Sequence, residues 1–421
     1  MVVHRSNKMI LLFRSFRLLL DATSLAVCVL GVLYLSGSPA LAASSTIATT
    51  SDRVVLNDNH TMPLVGLGMA LTFDETHAAV QWALDAGYRL IDTAADETYA
   101  NQDKIGWALR DWITRQHHEQ HDDETQEQDA PAKDTTNREA PIRRSDIFVT
   151  TKLWDTEHGF YPAIQAFYQS LHEFNHHYLD NYVDLYLMHS PFGGHLVETW
   201  DAMIYLQQRR RLIRSIGVSN FGIRHLQVLE NHGRPLPAVN QIELHPLVYQ
   251  KRLPLIEYCQ QHNIQIQAYG SVIMLQFAEW VDLTKLTDIA QRLQKTPAQV
   301  LLKWALQHGF GIIPKSVKQE RIQENIDLDD FVLSEEDMYV LDHWEEEMLL
   351  YKDDWNWNPI DEAPVHLGQE FAYWADNFTD VDESYIDEHL LHPPEEDAGD
   401  DEEDEDWGEF DKSGYKTEDE L

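Results

Sequence analysis

The sequence predicts a single (β/α)8 TIM barrel of the α/β class, with a β-hairpin before it and a disordered acidic tail after it. Between about residues 54 and 346, eight apolar stretches of strand length alternate with eight stretches of helical spacing. Several apolar stretches stop on an ionisable or phenolic side chain, as barrel strands do at the rim that holds catalytic groups. Eight units exceed what a six-stranded doubly wound sheet needs, so the pattern favours one closed barrel.

The composition excludes several classes of partner. The chain has 421 residues, 43% of them hydrophobic, which is enough to bury a large core. Its formal net charge of −39 disfavours binding to nucleic-acid backbones and to anionic membranes. An acidic run at 395–406 carries much of that charge, and its carboxylates could bind calcium weakly.

The N-terminus has the pattern of a secretory signal peptide over residues 1–42. Basic residues precede an apolar core at 25–35, and Ala40-Leu41-Ala42 supplies the small residues of a cleavage site. A retained membrane anchor is the alternative, but the apolar core is only about half as long as a spanning helix needs to be.

The other end of the chain predicts the same compartment. The last four residues, 418–421, read Glu-Asp-Glu-Leu and are similar to a retention signal of the endoplasmic reticulum, for which a retention receptor would be the partner. Glycosylation acceptor triplets begin at Asn59 and Asn377. Cys259 is the one cysteine beyond the signal peptide, so we expect no internal disulfide and a buried thiol. We expect a monomer in the lumen of the endoplasmic reticulum, with secretion or membrane attachment as alternatives.

The structural elements follow in chain order within a barrel domain at 43–350. A hairpin is predicted at 54–65, with its turn at 57–60. The barrel strands are predicted at 64–69, 88–94, 147–153, 183–188, 215–218, 238–243, 264–268 and 311–314. The helices are predicted at 75–86, 104–115, 161–177, 197–208, 223–231, 253–262, 286–294 with 297–308, and 320–327.

Two segments lack any period. Residues 117–142 are polar and predict a disordered loop inserted between the second helix and the third strand. Its histidines at 117, 118 and 121 form no complete ligand set, so no metal site is predicted. In the extension at 351–421, we expect the aromatic part up to Trp374 to pack near the barrel mouth and the acidic remainder to be solvated.

Polar side chains at the strand ends identify the candidate site. Because the carboxyl ends of barrel strands meet at one mouth, residues far apart in sequence become neighbours there. The residues at these ends are Asp92, Lys152, His189, Asn220, Gln241, Tyr269 and Lys315. So many polar groups at matching ends indicate an enzyme.

At these residues the sequence resembles the aldo-keto reductase family, over nearly the whole barrel. The matching stretches are MPLVGLG at 62–68, GYRLIDTA at 87–94, TKLW at 151–154, DLYLMHSP at 184–191, IGVSNF at 216–221, PAVNQIELHP at 237–246 and IPKSVKQERIQEN at 313–325. The resemblance implies NADPH-dependent reduction of aldehydes or ketones. It places Asp92, Lys152 and His189 at three positions of the catalytic tetrad, and Tyr99 at the fourth.

Such a tetrad is chemically reasonable for this reaction. Carbonyl reduction needs a hydride on carbon and a proton on oxygen, and a phenol with a pKa of about 10 is a reluctant proton donor. Lys152, held by Asp92, would lower the pKa of Tyr99. A neutral His189 would orient and polarise the carbonyl oxygen. The hydride must come from a cofactor, because no side chain can supply one.

The last β–α unit predicts which cofactor binds. Lys315, Ser316 and Arg321 cluster where a strand ends and a helix begins, and this set suits a dianionic phosphate, here the 2′-phosphate of NADPH. The resemblance further implies that Glu324 and Asn325 meet the adenine. It also implies that Tyr269 stacks on the nicotinamide and that its carboxamide is held by Ser219, Asn220 and Gln241.

The chain departs from the family pattern close to the site. The spacing from Asp92 to Tyr99 is two residues longer than usual, which puts Glu97 where the phenol normally stands. Either residue could therefore occupy the proton-donor position. Ala70 stands where many members carry a pocket tryptophan, and Gly270 replaces a serine, so the substrate cannot be carried over from the family.

Two other functions fit parts of the sequence. A Rossmann dehydrogenase is suggested by Gly66 and Gly68, but Leu71 stands at the third glycine position and the cations near 315–321 stay unexplained. A lumenal binding or calcium-buffering protein on a catalytically altered barrel is the alternative from another class. The prediction we favour is a monomeric NADPH-dependent carbonyl reductase of the secretory pathway.

Overall fold

The computed structural model describes residues 48–95, 99–126, 142–175, 182–279, 281–344, 378 and 381–390. The predicted signal peptide, the acidic run, the C-terminal tetrapeptide and Glu97 all lie outside the described residues. Predictions about them stay predictions.

A β-hairpin precedes the barrel, where the sequence predicts it. Strand β1 (Arg53–Val55) pairs antiparallel with β2 (Thr61–Pro63). The turn is closed by a hydrogen bond of 2.8 Å from the Leu56 N–H to the His60 carbonyl, and Asn59 adopts a left-handed φ of 69° within it. The Asn57 amide donates to the Pro237 carbonyl at 2.9 Å, just before a barrel strand begins. The hairpin therefore covers the N-terminal end of the barrel.

Eight parallel strands form the sheet, and each pairs with the next one along the chain. They are β3 (Leu67–Gly68), β4 (Leu90–Asp92), β5 (Phe148–Leu153), β6 (Val183–Met188), β7 (Ile213–Ser219), β8 (Val239–Glu243), β9 (Gln265–Tyr269) and β10 (Gly311–Ile312). Bridges from Val65 to Ile312 and from Gly68 to Lys315 join the first strand region to the last. This arrangement is that of a (β/α)8 barrel.

Close approach at the seam explains one glycine. A Cβ atom at position 68 would lie 2.7 Å from the Ile313 carbonyl oxygen, which is closer than real Cβ contacts come. A side chain there would push the first and last strands apart. Strands β5 and β6 are buried along their whole length, as expected for strands enclosed by helices.

Helices surround the sheet, and each helix that the sequence predicts has a counterpart among them, whereas the last two were not predicted. The helices are α1 (Thr76–Asp85), α2 (Gln102–Gln126), α3 (Phe160–Asn175), α4 (Leu196–Tyr205), α5 (Ile223–Asn231), α6 (Pro246–Gln261), α7 (Thr284–Leu293), α8 (Pro297–Gln307), α9 (Gln319–Ile326), α10 (Glu335–Asp342) and α11 (Glu383–Tyr385). None of the described helices is both long and apolar enough to cross a membrane. Local sequence determines where α8 begins. The Thr296 hydroxyl accepts a hydrogen bond from the Gln299 N–H at 3.2 Å, and Pro297 follows at the first helical position.

The prediction of a disordered loop from residue 117 onward was wrong for 117–126, which continue α2. That stretch is polar, but it contains Gln, Glu, Asp and His and no Gly or Pro, so nothing in it breaks a helix. The His117 ring lies 3.0 Å from the Ile142 carbonyl oxygen, near the start of the segment that leads into β5. A polar composition was therefore mistaken for absence of structure.

The prediction of a solvated C-terminal remainder was also wrong for residues 381–390. Helix α11 and the following π-helical turn Ile386–Leu390 pack on the barrel, and Val381, Ile386 and Leu390 are buried there. Ile386 and Leu390 have the i, i+4 spacing of a helix, but three apolar residues within an acidic stretch were too few for the sequence pattern to predict packing.

Candidate active site

Polar side chains from neighbouring strands meet at the C-terminal mouth of the barrel. Asp92 is the last residue of β4, Lys152 is the penultimate residue of β5, and His189 directly follows β6. The register of the strands brings Asp92 and Lys152 close together. Asp92 pairs with Thr150, and Lys152 lies two residues farther along β5 toward the mouth. The structure thus brings together three residues that the sequence separates by 97 positions.

Asp92 and Lys152 form a buried ion pair. The Lys152 ammonium donates to Asp92 Oδ1 at 2.5 Å and to the Thr93 carbonyl at 2.8 Å, and both side chains are about fully buried, with 1–2% exposed. Burial raises the pKa of the Asp92 carboxyl, while the Lys152 ammonium and the Gln241 amide act in the opposite direction. The pair keeps a cation fixed beneath the mouth.

Gln241 has a role that the sequence did not reveal. Its side-chain N–H groups donate to Asp92 Oδ2 and to Gln267 Oε1, each at 2.7 Å. In this structure Gln241 therefore positions the Asp92 carboxylate. Polar residues alternate with apolar ones at 264–269, which reads IQIQAY, so the sequence indicated that Gln267 is a polar residue within a strand. Only the order of the strands shows that it faces Gln241.

Tyr99 lies beside the ion pair. Its ring centroid is 5.1 Å from the Lys152 nitrogen and 6.0 Å from the centroid of the His189 ring. The ring is partly exposed toward the mouth. The structure thus places Tyr99 next to both partners expected for it.

The residues after Tyr99 fix the chain firmly to the barrel. Asn101 is buried; its amide donates to the Met69 carbonyl at 2.7 Å, and its carbonyl oxygen accepts from the Thr93 hydroxyl at 2.5 Å. Gln102, also buried, begins α2 and accepts from the Thr151 hydroxyl at 2.7 Å. These contacts fix the chain directly after Tyr99. Sequence analysis missed both amides.

His189 is held as a neutral base. Its ring packs edge-on against Trp154, with centroids 5.0 Å apart, and its carbonyl oxygen accepts from the Asn220 amide at 3.0 Å. Burial, reinforced by the positive charge of Lys152, lowers the pKa of His189 to about 3. A neutral imidazole can donate a hydrogen bond without competing for the proton of a substrate.

The depressed pKa of His189 makes folding stability depend on pH. The unfolded residue takes up a proton below pH 6.5, whereas the folded one does so only near pH 3, so stability present above pH 6.5 is lost as the pH falls through that window. Between about pH 7 and pH 4, this effect should lower the free energy of unfolding of the native protein by roughly 2–3 kcal/mol. The His189→Asn variant should not show this loss. Urea unfolding across this range measures it. Parallel curves would mean that the pKa of His189 is the same in the folded and unfolded protein.

The next three strands, β7 to β9, carry the expected nicotinamide-binding residues. The Ser219 hydroxyl donates to the Gln241 carbonyl at 2.9 Å. Asn220 has a left-handed φ of 61° and accepts from the Tyr269 hydroxyl at 2.9 Å. These contacts connect the end of β7 to β8 and β9 and leave the Tyr269 ring partly exposed beside Asn220.

The expected phosphate-binding residues lie together at the start of α9. Lys315 follows β10, and the buried Ser316 hydroxyl accepts from the Lys318 N–H at 3.1 Å. Arg321 lies in the first turn of the helix and is partly exposed. Cations, a hydroxyl and the N–H groups of a helix start at one place suit a dianion. Glu324 and Asn325 lie in the last turns of the same helix, Glu324 exposed and Asn325 buried.

Apolar side chains border the mouth, and sequence analysis did not single them out. Trp154 and Phe192, on the loops after β5 and β6, are both exposed to solvent. Leu71 and Phe73, on the loop after β3, are exposed as well and have left-handed φ angles. A substrate entering this mouth would meet aromatic and aliphatic surface.

Comparison with known proteins identifies a family over most of the barrel. Residues 61–346 match the profile of the aldo/keto reductase family. The 9,11-endoperoxide prostaglandin H2 reductase of Trypanosoma cruzi is 36% identical over 308 residues, covering 73% of this chain and 96% of that protein. Methylglyoxal reductase DkgA of Escherichia coli is 37% identical over 289 residues, covering 68% and 90%.

Solved structures agree. The crystal structure of the Bombyx mori aldo-keto reductase AKR2E4 in complex with NADP superimposes with a TM-score of 0.59 at 29% identity, covering 76% of this chain and all of that one. An aldo/keto reductase from Brucella melitensis gives a TM-score of 0.57 at 33% identity, covering 70% of this chain and all of that one.

Proposed function

The chain belongs to the aldo/keto reductase family and is an oxidoreductase; from that premise we propose that it reduces an aldehyde or a ketone to the alcohol, with NADPH as cofactor and Tyr99 as proton donor. The observation that carries the proposal is the buried Asp92–Lys152 pair beside Tyr99 and a neutral His189 at one mouth.

Each residue has a distinct task in this reaction. Tyr99 donates the proton to the carbonyl oxygen, and the Lys152 ammonium stabilises the phenolate that remains. His189 donates a hydrogen bond to the same oxygen and polarises the carbonyl as charge develops. Asp92 keeps Lys152 in place. The bound cofactor supplies the hydride.

The residues present fit NADPH. Ser219, Asn220 and Tyr269 would hold the nicotinamide end, since they adjoin His189 and the ion pair. Lys315, Ser316 and Arg321 would hold the 2′-phosphate, and Glu324 and Asn325 would meet the adenine. The donor set at the start of α9 carries positive charge and N–H groups, which favours NADPH over NADH.

Aldehyde-dependent oxidation of NADPH by the purified chain tests the reaction. Methylglyoxal and an aromatic aldehyde are suitable substrates, because the Escherichia coli relative is named a methylglyoxal reductase and because exposed Trp154 and Phe192 border the mouth. We expect turnover with both and a preference for the aromatic one. Absence of turnover and of NADPH binding would contradict the proposal and favour the binding-protein alternative.

Replacing Arg321 by glutamine is expected to weaken NADPH binding selectively. A hydrogen bond to a charged group contributes about 1.5–3 kcal/mol, so the Kd for NADPH should rise about 10- to 100-fold. The Kd for NADH should change by less than about threefold, because NADH lacks the phosphate. Fluorescence titration measures both. Arg53→Gln, in the hairpin at the opposite end of the barrel, is the matched control; equal weakening of both cofactors by Arg321→Gln would remove Arg321 from phosphate recognition.

We propose a secretory location, supported by the signal-peptide pattern and by the exposure of Asn59 at the hairpin turn. We expect the full chain, expressed in animal cells, to carry a glycan at Asn59 that endoglycosidase H removes, as for a protein retained early in the pathway. Asn59→Gln should remove the part of the mass shift that the glycan at residue 59 causes, also when Asn377 carries a second glycan, whereas Asn57→Gln in the same turn should leave the shift unchanged. An unglycosylated chain would contradict this location. Retention through 418–421 and calcium binding by the acidic run stay predictions.

A further inference from the structure

The outer face of two barrel helices is covered by the chain's own C-terminal extension. We propose that residues 378 and 381–390, which we call the strap, occupy a docking surface on α3 and α4 that is built to receive them. The family match ends at residue 346, so the strap belongs to a part of this chain beyond the family barrel. The inference does not depend on the reaction proposed above.

Apolar contacts make up the centre of this surface. Phe378, Val381, Ile386 and Leu390 are each at least nine-tenths buried. The ring of Phe378 meets the ring of Tyr205 at the end of α4, with centroids 5.5 Å apart in an edge arrangement. Tyr385 meets Tyr161 of α3 in the same way at 5.4 Å. Each pair adds to the burial of apolar area, since edge contacts between aromatic rings are favourable.

A buried hydroxyl on the barrel depends on the strap. Tyr205 is fully buried, and its hydroxyl donates to the Glu383 carboxylate at 2.5 Å. Removing a partner from a buried polar group leaves an unsatisfied donor, which is costly. Tyr205 is therefore a barrel residue whose polar end is satisfied from residue 383.

Charge complementarity fixes the direction of the strap. The Arg210 guanidinium contacts Glu383 at 3.1 Å and Asp387 at 2.9 Å. Arg210 belongs to a run of three arginines at 209–211, which stands out in a chain of net charge −39. It is presented by the π-helical turn Leu206–Arg210 that ends α4, a conformation often found where a helix serves a special contact.

The apolar contacts should contribute more than the ionic ones. Glu383 and Asp387 are 42% and 53% exposed, and exposed ion pairs contribute little, especially in salt. Ile386 is 0% exposed, so its removal leaves a cavity against the barrel. The buried side chains therefore contribute most of the stability of the docked strap. The ion pairs of Arg210 determine where along α3 and α4 the strap binds. Because α3 and α4 directly follow the strands that lead to Lys152 and His189, the strap braces those two units.

Hydrogen exchange on the full chain tests the docking. We expect protected amides in 381–390. Ile386→Ala should raise their exchange rate by about tenfold or more and lower the Tm by about 2–5 °C. Glu388→Ala, an exposed neighbour in the strap, should leave both unchanged. Fast exchange of 381–390 in the native protein, or identical behaviour of the two variants, would overturn the proposal.

A second variant separates docking from general loss of structure. Arg210→Gln alters a partly exposed side chain and should raise exchange in 381–390 by about two- to fivefold at low salt but not at about 1 M NaCl. An effect independent of salt would contradict the register role of Arg210. Light scattering of the full chain should give a monomer; a dimer that Ile386→Ala dissociates would show that the strap docks on a second copy and would overturn the intramolecular assignment.

Discussion

Tyr99→Phe is expected to lower kcat for aldehyde reduction by about 10²- to 10⁴-fold, the usual contribution of a positioned proton donor. The phenylalanine ring keeps the packing beside Lys152 and His189, where the Tyr99 ring now lies 5.1 and 6.0 Å from its neighbours. Only the transferable proton is lost. The Kd for NADPH should therefore stay within about threefold of the native value. Steady-state kinetics and fluorescence titration measure the two quantities.

The Glu97→Gln variant, measured beside Tyr99→Phe, decides which of the two residues is the proton donor. Sequence spacing alone leaves both residues as candidates for the proton donor. Because Asn101 and Gln102 fix the chain directly after Tyr99, we expect Glu97→Gln to change kcat by less than about threefold. If Glu97→Gln instead abolishes turnover while Tyr99→Phe does not, the carboxyl group is the donor and the mechanism must be rewritten.

The barrel could be predicted from the sequence because its signals are local. A strand buried on both faces needs an apolar run, and a polar residue at its end reaches the mouth. Asp92, the last residue of β4, and Lys152, one residue before the end of β5, show this. The register of neighbouring strands then follows from the fold. No such local rule exists for Gln267, whose partner Gln241 lies on another strand, so its part in holding Asp92 emerged only from the structure.

Features that depend on distant partners were missed or misjudged. The strap has Ile386 and Leu390 at helical spacing within an acidic stretch, but only its docking on α3 and α4 makes these positions buried. The π-helical turn Leu206–Arg210 has no sequence period of its own. The prediction for residues 117–126 was wrong for a local reason: a polar helix without a clear apolar face has the same composition as a loop.

Lys152→Met should affect both catalysis and folding, and the two effects can be separated. The substitution leaves the Asp92 carboxylate buried without its cation, and breaking a buried pair in this way costs about 3–5 kcal/mol. Burial already raises the pKa of Asp92, and without Lys152 the pKa rises further. The deficit is therefore full above the raised folded pKa and shrinks as the pH falls and Asp92 is protonated. Urea unfolding at about pH 8 and pH 5 measures this recovery.

The double variant Asp92→Asn with Lys152→Met shows which loss belongs to catalysis. Replacing both partners removes the unpaired buried charge of Asp92, and such double replacements often change stability little. We therefore expect the free energy of unfolding to return to within about 1–2 kcal/mol of the native value. Turnover should stay at least about 10²-fold low, because no cation remains near Tyr99 to stabilise its phenolate. Recovery of both stability and turnover would mean that the buried pair serves the fold alone. Since Lys152 is held 2.8 Å from the Thr93 carbonyl and directed at the Tyr99 ring, the geometry favours loss of turnover with recovery of stability.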